Sequence, residues 1–139
     1  MKKALTILML AVAILVGGTV ADAKTTRKKN KATTSKGYRV ENGKIIPTGS
    51  KPIVVDFYAD WCGPCKQYAP NFDYVKSRYS SKATFIRINV DNNPQIANFY
   101  RINSIPTTMI ILGRGNDCHT VNGYMDTSQL ENFICTYIR

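Results

Sequence analysis

In the segment Trp61-Cys62-Gly63-Pro64-Cys65-Lys66, two thiols stand three positions apart, directly after an apolar run from Ile53 to Tyr58. The run has strand length, so the pair falls where a strand gives way to a helix. At the start of a helix this spacing is about one turn, and the two sulfurs can close a small disulfide ring and reopen it without moving the fold. The first thiol, Cys62, meets the unsatisfied N–H groups and positive dipole end of the helix, which favour thiolate and make it the nucleophile. Cys65 is then the resolving thiol. Pro64 suits a first-turn position because it has no N–H to lose, and Gly63 leaves the approach to Cys62 open to another protein's disulfide. Paired cysteines also bind zinc, but no second pair follows at ligand spacing and His119 is the single histidine, so no metal is expected.

The wider segment Val54-Val55-Asp56-Phe57-Tyr58-Ala59-Asp60-Trp61-Cys62-Gly63-Pro64-Cys65-Lys66 resembles the active-site segment of the thioredoxin family. Further matches follow in order: Arg87-Ile88-Asn89-Val90-Asp91 resembles the central strand, Ser104-Ile105-Pro106-Thr107 the proline loop, and Gly123 the glycine beside the site. The resemblance covers about residues 50 to 139, and four motifs in register are far more specific than one pair of cysteines. It implies an α/β chain with the thioredoxin fold, a central mixed sheet flanked by helices. It also implies protein disulfides as substrates and no cofactor.

Each matched position also has a physical reading. Asp56 interrupts an apolar strand, so burial favours its acid form and lets it pass a proton to or from Cys65. Its alternative is a plain ion pair, because Arg87 stands where the family usually carries a lysine close to that aspartate; arginine stays charged and alters the tuning. The resemblance implies a cis peptide bond between Ile105 and Pro106, which turns the Ile105 backbone toward the disulfide to pair with an extended substrate chain. The alternative is an ordinary loop proline at a strand start. Trp61 reads as a shield for the thiol and a flat contact surface, with a core role as its alternative. Pro70 is expected to kink the helix and carries no chemistry.

The ends of the chain differ from its middle. Met1 to Ala23 reads as a secretory signal: Lys2 and Lys3, an apolar run from Ala4 to Val16, then Ala21-Asp22-Ala23 as a small-x-small cleavage site. An uncleaved membrane anchor is the competing reading, against which the apolar run is short for a span of roughly 20 residues. From Lys24 to Lys36 there are six positive and no negative side chains, the composition of a disordered tether. Of the net charge of +10, the signal accounts for +1 and the tether for +6, leaving +3 for residues 37 to 139. That remainder shows no basic stripe with interleaved aromatics, so nucleic acid is not an expected partner.

Residues 37 to 139 read as one thioredoxin-like domain, large enough for one core. Tyr38 to Ile46, broken by Asn42-Gly43, suggests a hairpin; Ile53 to Tyr58 a buried strand; Gly63 to Arg78 the helix that carries the site. Thr84 to Val90 is the next strand and a short helix follows from Pro94 to Tyr100. Thr107 to Leu112 and Cys118 to Asn122 flank Gly113 and Gly115 as an antiparallel pair. A last helix from about Thr127 to Ile138 presents Leu130, Phe133, Ile134 and Tyr137 to the sheet. The family's opening strand and helix do not fit the short, polar stretch before Ile53, so that helix is expected to be shortened or absent. Cys118 and Cys135 lie outside the family pattern; a structural disulfide between them and two free thiols both stay open.

These readings converge on a periplasmic or secreted thiol-disulfide oxidoreductase, a monomer that reduces protein disulfides through Cys62 and Cys65 and is recharged by a membrane electron carrier or reductase. Two alternatives remain. One is an oxidase or isomerase of the same fold, and the other a non-catalytic module that holds peptides in a groove by Trp61, Ile105 and Gly123.

Overall fold

The computed structural model describes residues 37–138; the expected signal segment and basic tether lie outside the described residues. The chain opens with a two-stranded antiparallel hairpin, β1 (Tyr38–Glu41) and β2 (Lys44–Pro47). Asn42 and Gly43 join them with φ of 50° and 83°. Both central residues are left-handed, as in the turn whose twist matches that of the strands it joins.

β3 (Ile53–Tyr58) is buried at every position except Tyr58, the mark of a central strand covered on both faces. It leads into α1 (Gly63–Tyr79), followed by β4 (Thr84–Asn89), α2 (Pro94–Phe99), β5 (Thr107–Leu112), β6 (Asp117–Asn122) and α3 (Thr127–Cys135). The four later strands form one sheet in the order β4-β3-β5-β6, with β3 parallel to β4 and antiparallel to β5. Tyr68, Phe72 and Val75 of α1 and Leu130 and Ile134 of α3 pack with Val54 and Ile110 on one face. Ile45 of β2 and Ile96 of α2 pack with Ile53, Val55, Phe57 and Ile111 on the other. This is the expected mixed sheet flanked by helices.

Among the described residues no helix precedes β3, and the hairpin closes the second face together with α2. Ile45 is fully buried there. The Tyr100 hydroxyl accepts from Ile45 N at 2.9 Å and lies 3.3 Å from Ile45 O, to which it donates, so one phenol ties β2 to the end of α2. Burial pushes that phenol up to about 12. From the other side the β5–β6 turn presses in at Gly115, whose φ is +82° and where a Cβ would lie 2.8 Å from Ile45 O. Only glycine meets both demands.

One detail departs from the sequence reading, and one that the sequence left open is decided. α3 stops at Cys135 with Thr136 as its C-cap, and Tyr137 N and Ile138 N both bond Ile134 O at 2.9 Å to close the last turn. Tyr137 stacks on His119 with ring centroids 4.3 Å apart, while Ile138 still reaches the core. The Cys118–Cys135 bridge, left open by the sequence, is not formed, and both cysteines are free. Cys118 pairs with Ile111 in the β5–β6 register and packs on the hairpin face, whereas Cys135 lies on α3 against the opposite face. The sheet itself separates them.

Two predictions follow from this packing. Alkylation without reductant is expected to modify both thiols, exposed Cys135 first and Cys118 slowly, because burial raises the Cys118 thiol's pKa. Recovery of a Cys118–Cys135 linked peptide would contradict it. Ile45→Ala is expected to cost about 2–5 kcal/mol in urea unfolding, as for other fully buried Ile-to-Ala changes.

Candidate active site

α1 begins at the strand-to-helix junction, and Cys62 is its N-cap in extended backbone conformation. Cys62 Sγ accepts from the backbone N–H of Cys65 at 3.2 Å. The atom that would carry negative charge after reduction therefore already sits on an orphan donor at the positive end of a 17-residue helix. Cys62 and Cys65 are joined by a disulfide with Cα atoms 5.3 Å apart. Both are buried among Ala59, Tyr58, Val90 and Ile105. Gly63 faces open space, since a Cβ there would meet nothing within 4 Å, and Pro64 lies in the first turn of α1. Pro70 sits inside α1, which runs unbroken around it.

The proline loop packs beside the disulfide. The Ile105–Pro106 peptide bond is cis, and Ile105 joins the cluster around the cysteines. Gly123 N donates to Pro106 O at 2.7 Å, while Thr107 Oγ1 donates to Ser104 O at 2.7 Å and contacts Asn122 Oδ1 at 2.9 Å. These bonds fix the loop between the start of β5 and the end of β6. Trp61 is 71% exposed, so it is no part of the core; its Nε1 donates to Asp91 Oδ2 at 2.9 Å. With Val90, Ile102, Asn103, Ser104 and Ile105 it lines a shallow, mostly apolar cavity of about 170 Å³.

Within β3, Asp56 is fully buried and accepts from Arg87 Nε at 2.7 Å through Oδ2. The ion pair that the sequence offered as an alternative thus exists, and burial and pairing act on the same carboxyl in opposite directions. Burial is the larger effect and raises the Asp56 pKa above its ordinary value despite Arg87. Its second oxygen, Oδ1, meets no hydrogen-bond partner among the described residues. Arg87 is held by its other side, with the guanidinium 4.4 Å from the centroid of the Tyr58 ring. Tyr58, Cys65, Lys66 and Arg87 help line a cavity of about 550 Å³.

The sheet register continues this polar row. Arg87, Asp56 and Thr108 stand opposite one another on β4, β3 and β5, and Thr108 Oγ1 shares a 2.7 Å hydrogen bond with the Tyr68 hydroxyl of α1. Burial drives the Tyr68 phenol far up, so it remains neutral. The sequence reading gave no role of their own to Asp91, Thr108, Tyr68 and Tyr58. Strand pairing is a long-range property, and only the spacing of Arg87 from Asp56 had a signal through the family likeness. Among the described residues no three His, Cys, Asp or Glu side chains converge as metal ligands, and no helix is long and apolar enough to cross a membrane.

A redox-closed cysteine pair capping a helix beside a cis-proline loop defines a thiol-disulfide exchange protein. A thioredoxin family model matches residues 33–136, and the chain belongs to the thioredoxin family. It is 44% identical over 87 residues to thioredoxin of Porphyra purpurea, covering 63% of this chain and 80% of that protein. It is 35% identical over 94 residues to the M-type chloroplastic thioredoxin of Chlamydomonas reinhardtii, covering 68% of this chain and 66% of that one. The germline thioredoxin Deadhead of Drosophila melanogaster superposes with a TM-score of 0.58 at 35% identity, over 63% of this chain and 82% of that one. The protein is accordingly a thiol-disulfide oxidoreductase.

The direction of the Asp56 shift gives a pH-dependent prediction. A carboxyl whose folded pKa is raised binds its proton more tightly in the folded state, so its ionisation weakens the fold as pH rises from the unfolded value toward the folded one. Asp56→Asn removes that loss. The variant is expected to be more stable than the parent at pH 7, with the difference shrinking toward pH 4 in urea unfolding; a gap that grows on acidification would contradict the assignment.

Proposed function

We propose that this chain reduces protein disulfides outside the cytosol. The observation that carries the reading is Cys62 Sγ seated on Cys65 N–H at the N-terminus of α1, with Gly63 open to an incoming chain. Cys62 thiolate attacks one sulfur of a substrate disulfide in line; the other substrate sulfur leaves as thiolate and takes up a proton. Cys65, after giving up its proton, attacks Cys62 Sγ and releases the second substrate thiol. Two electrons have then passed to the substrate, and the Cys62–Cys65 bond has re-formed. Asp56 is the proton acceptor for Cys65 in this scheme, with Arg87 tuning it. Trp61, Gly63, Pro64, Ile105, Pro106 and Gly123 form the surface that receives the substrate chain.

The reducing direction is supported by the Gly63-Pro64 pair, which resembles reducing members of the family. The extracytoplasmic location rests on the charged, apolar and small-residue sequence of Met1 to Ala23, followed by the basic tether. Export removes the chain from cytosolic reductants, so a membrane electron carrier or reductase would recharge the monomer. The same location favours a second reading, an oxidase or isomerase that donates the disulfide.

Equilibrating the pair with a dithiothreitol or glutathione buffer separates the two. A potential near the thioredoxin value of about −270 mV is expected; one near −120 mV, typical of a strongly oxidising relative, would reverse the direction of flow. On the mechanism itself, Cys62→Ser is expected to lower disulfide reduction by at least about a thousandfold, and Cys65→Ser to accumulate the mixed disulfide with substrate.

A further inference from the structure

A further cavity lies between the opening hairpin and the β5–β6 turn, at the end of β5 away from the proline loop. Its volume is about 470 Å³, within the roughly 300–1,000 Å³ of small-molecule sites. Arg39 and Lys44 of the hairpin, Thr48 just after it, and Arg114 and Asn116 of the turn supply its polar lining. No acidic residue among the described residues lines it.

Two contacts hold its walls together. The turn approaches β2 closely at Gly115, and Lys44 Nζ donates to Asn116 Oδ1 across the gap. With Oδ1 turned to Lys44, the Asn116 amide has its Nδ2 hydrogens left to donate. The neighbouring carboxylates are engaged elsewhere. Glu41 Oε1 accepts from Arg39 Nε at 2.7 Å, and Asp117 Oδ1 lies 3.0 Å from His119 Nε2. Glu41 thus offsets one of the three positive charges, while Lys44 and Arg114 have no ion pair among the described residues.

A concave site with donors and an excess of positive charge suits an anion. Its walls focus the field of the cations, and guanidinium and ammonium groups match the oxygens of a phosphate. The sequence adds charge at the same place. The basic run from Lys24 to Lys36 meets the described residues at Gly37, whose O accepts from Thr48 N at 3.1 Å, so it joins the fold beside a lining residue.

We propose that the cavity between the hairpin and the β5–β6 turn is an anion site for a phosphate group, carried by a lipid headgroup or free in solution, with Lys44 and Arg114 as its principal donors. The disulfide lies at the other end of the sheet, so an anion bound here leaves Cys62 free to react. Thiol exchange and its direction play no part in this binding.

The test titrates the full chain with inorganic phosphate, with glycerophosphoglycerol as a lipid headgroup without its tails, and with chloride at equal ionic strength. The backbone amide NMR shifts of Thr48, Gly115 and Asn116 report binding. Lys44→Gln/Arg114→Gln is compared with a control that removes the same charge on the α1 side of the sheet, Lys76→Gln/Lys82→Gln. Arg114, Lys76 and Lys82 are exposed and Lys44 half-buried, so both variants are expected to fold, as a urea midpoint checks. Arg114→Gln alone replaces the first pair if it does not. Saturable shifts are expected with at least one phosphate compound and none with chloride. The cavity variant is expected to bind at least about tenfold more weakly, the loss of two charge-assisted hydrogen bonds, and the control to stay within about twofold. Tighter saturation by glycerophosphoglycerol assigns the site to a headgroup; saturation by phosphate that is as tight or tighter assigns it to the free ion. Shifts that never saturate with either compound, that chloride reproduces, that the cavity variant retains, or that the control loses equally overturn the proposal.

Discussion

The structure depends on one junction, the point where β3 ends and α1 begins. A buried central strand must deliver the chain to the rim of the sheet, and a helix starting there leaves its first N–H groups without carbonyl partners. Here a cysteine sulfur takes the capping place that a hydroxyl or carboxylate usually holds. A structural requirement of the helix and the chemical requirement for a stabilised thiolate are thus met by the same atom pair, and α1 is held in place by Tyr68, Phe72 and Val75 in the core beneath.

Around that junction the polar groups are arranged by the sheet register. Asp56 could not be tolerated inside β3 without a partner, and Arg87 arrives from β4 because the parallel pairing sets the two residues side by side. The pairing leaves one carboxylate oxygen without a hydrogen bond among the described residues and does not overcome the effect of burial, so the carboxyl keeps an affinity for a proton that a surface aspartate lacks. The aromatic face of Tyr58 fixes the arginine from outside, limiting how far the guanidinium can swing toward solvent.

The opening hairpin shows how a departure from the usual family plan is accommodated. The second face of the sheet needs a cover, and the hairpin and α2 provide it together: Ile45 is fully buried, the Tyr100 phenol bridges β2 to α2, and the turn at Gly115 approaches the β2 backbone closely. The hairpin is a smaller cover than a helix. It leaves the site untouched, because the disulfide and the proline loop lie at the other end of β3 and β5.

Much of this was legible along the chain. The apolar run, the cysteine spacing, the Asn42-Gly43 turn and the alternating strand and helix signals are local, and local backbone and packing preferences specify them. The likeness to thioredoxins supplied the proline loop and the place of Gly123. The face of α3 was legible from its apolar spacing, but which side chains meet across the sheet was not. The sheet puts Cys118 and Cys135 on opposite sides, strand register sets Thr108 beside Asp56, and the packing of α1 on the sheet brings Tyr68 onto Thr108. These contacts join residues far apart in the chain. They exist only once the strands have chosen their partners and the helices their faces, and that choice belongs to the packing of the whole fold.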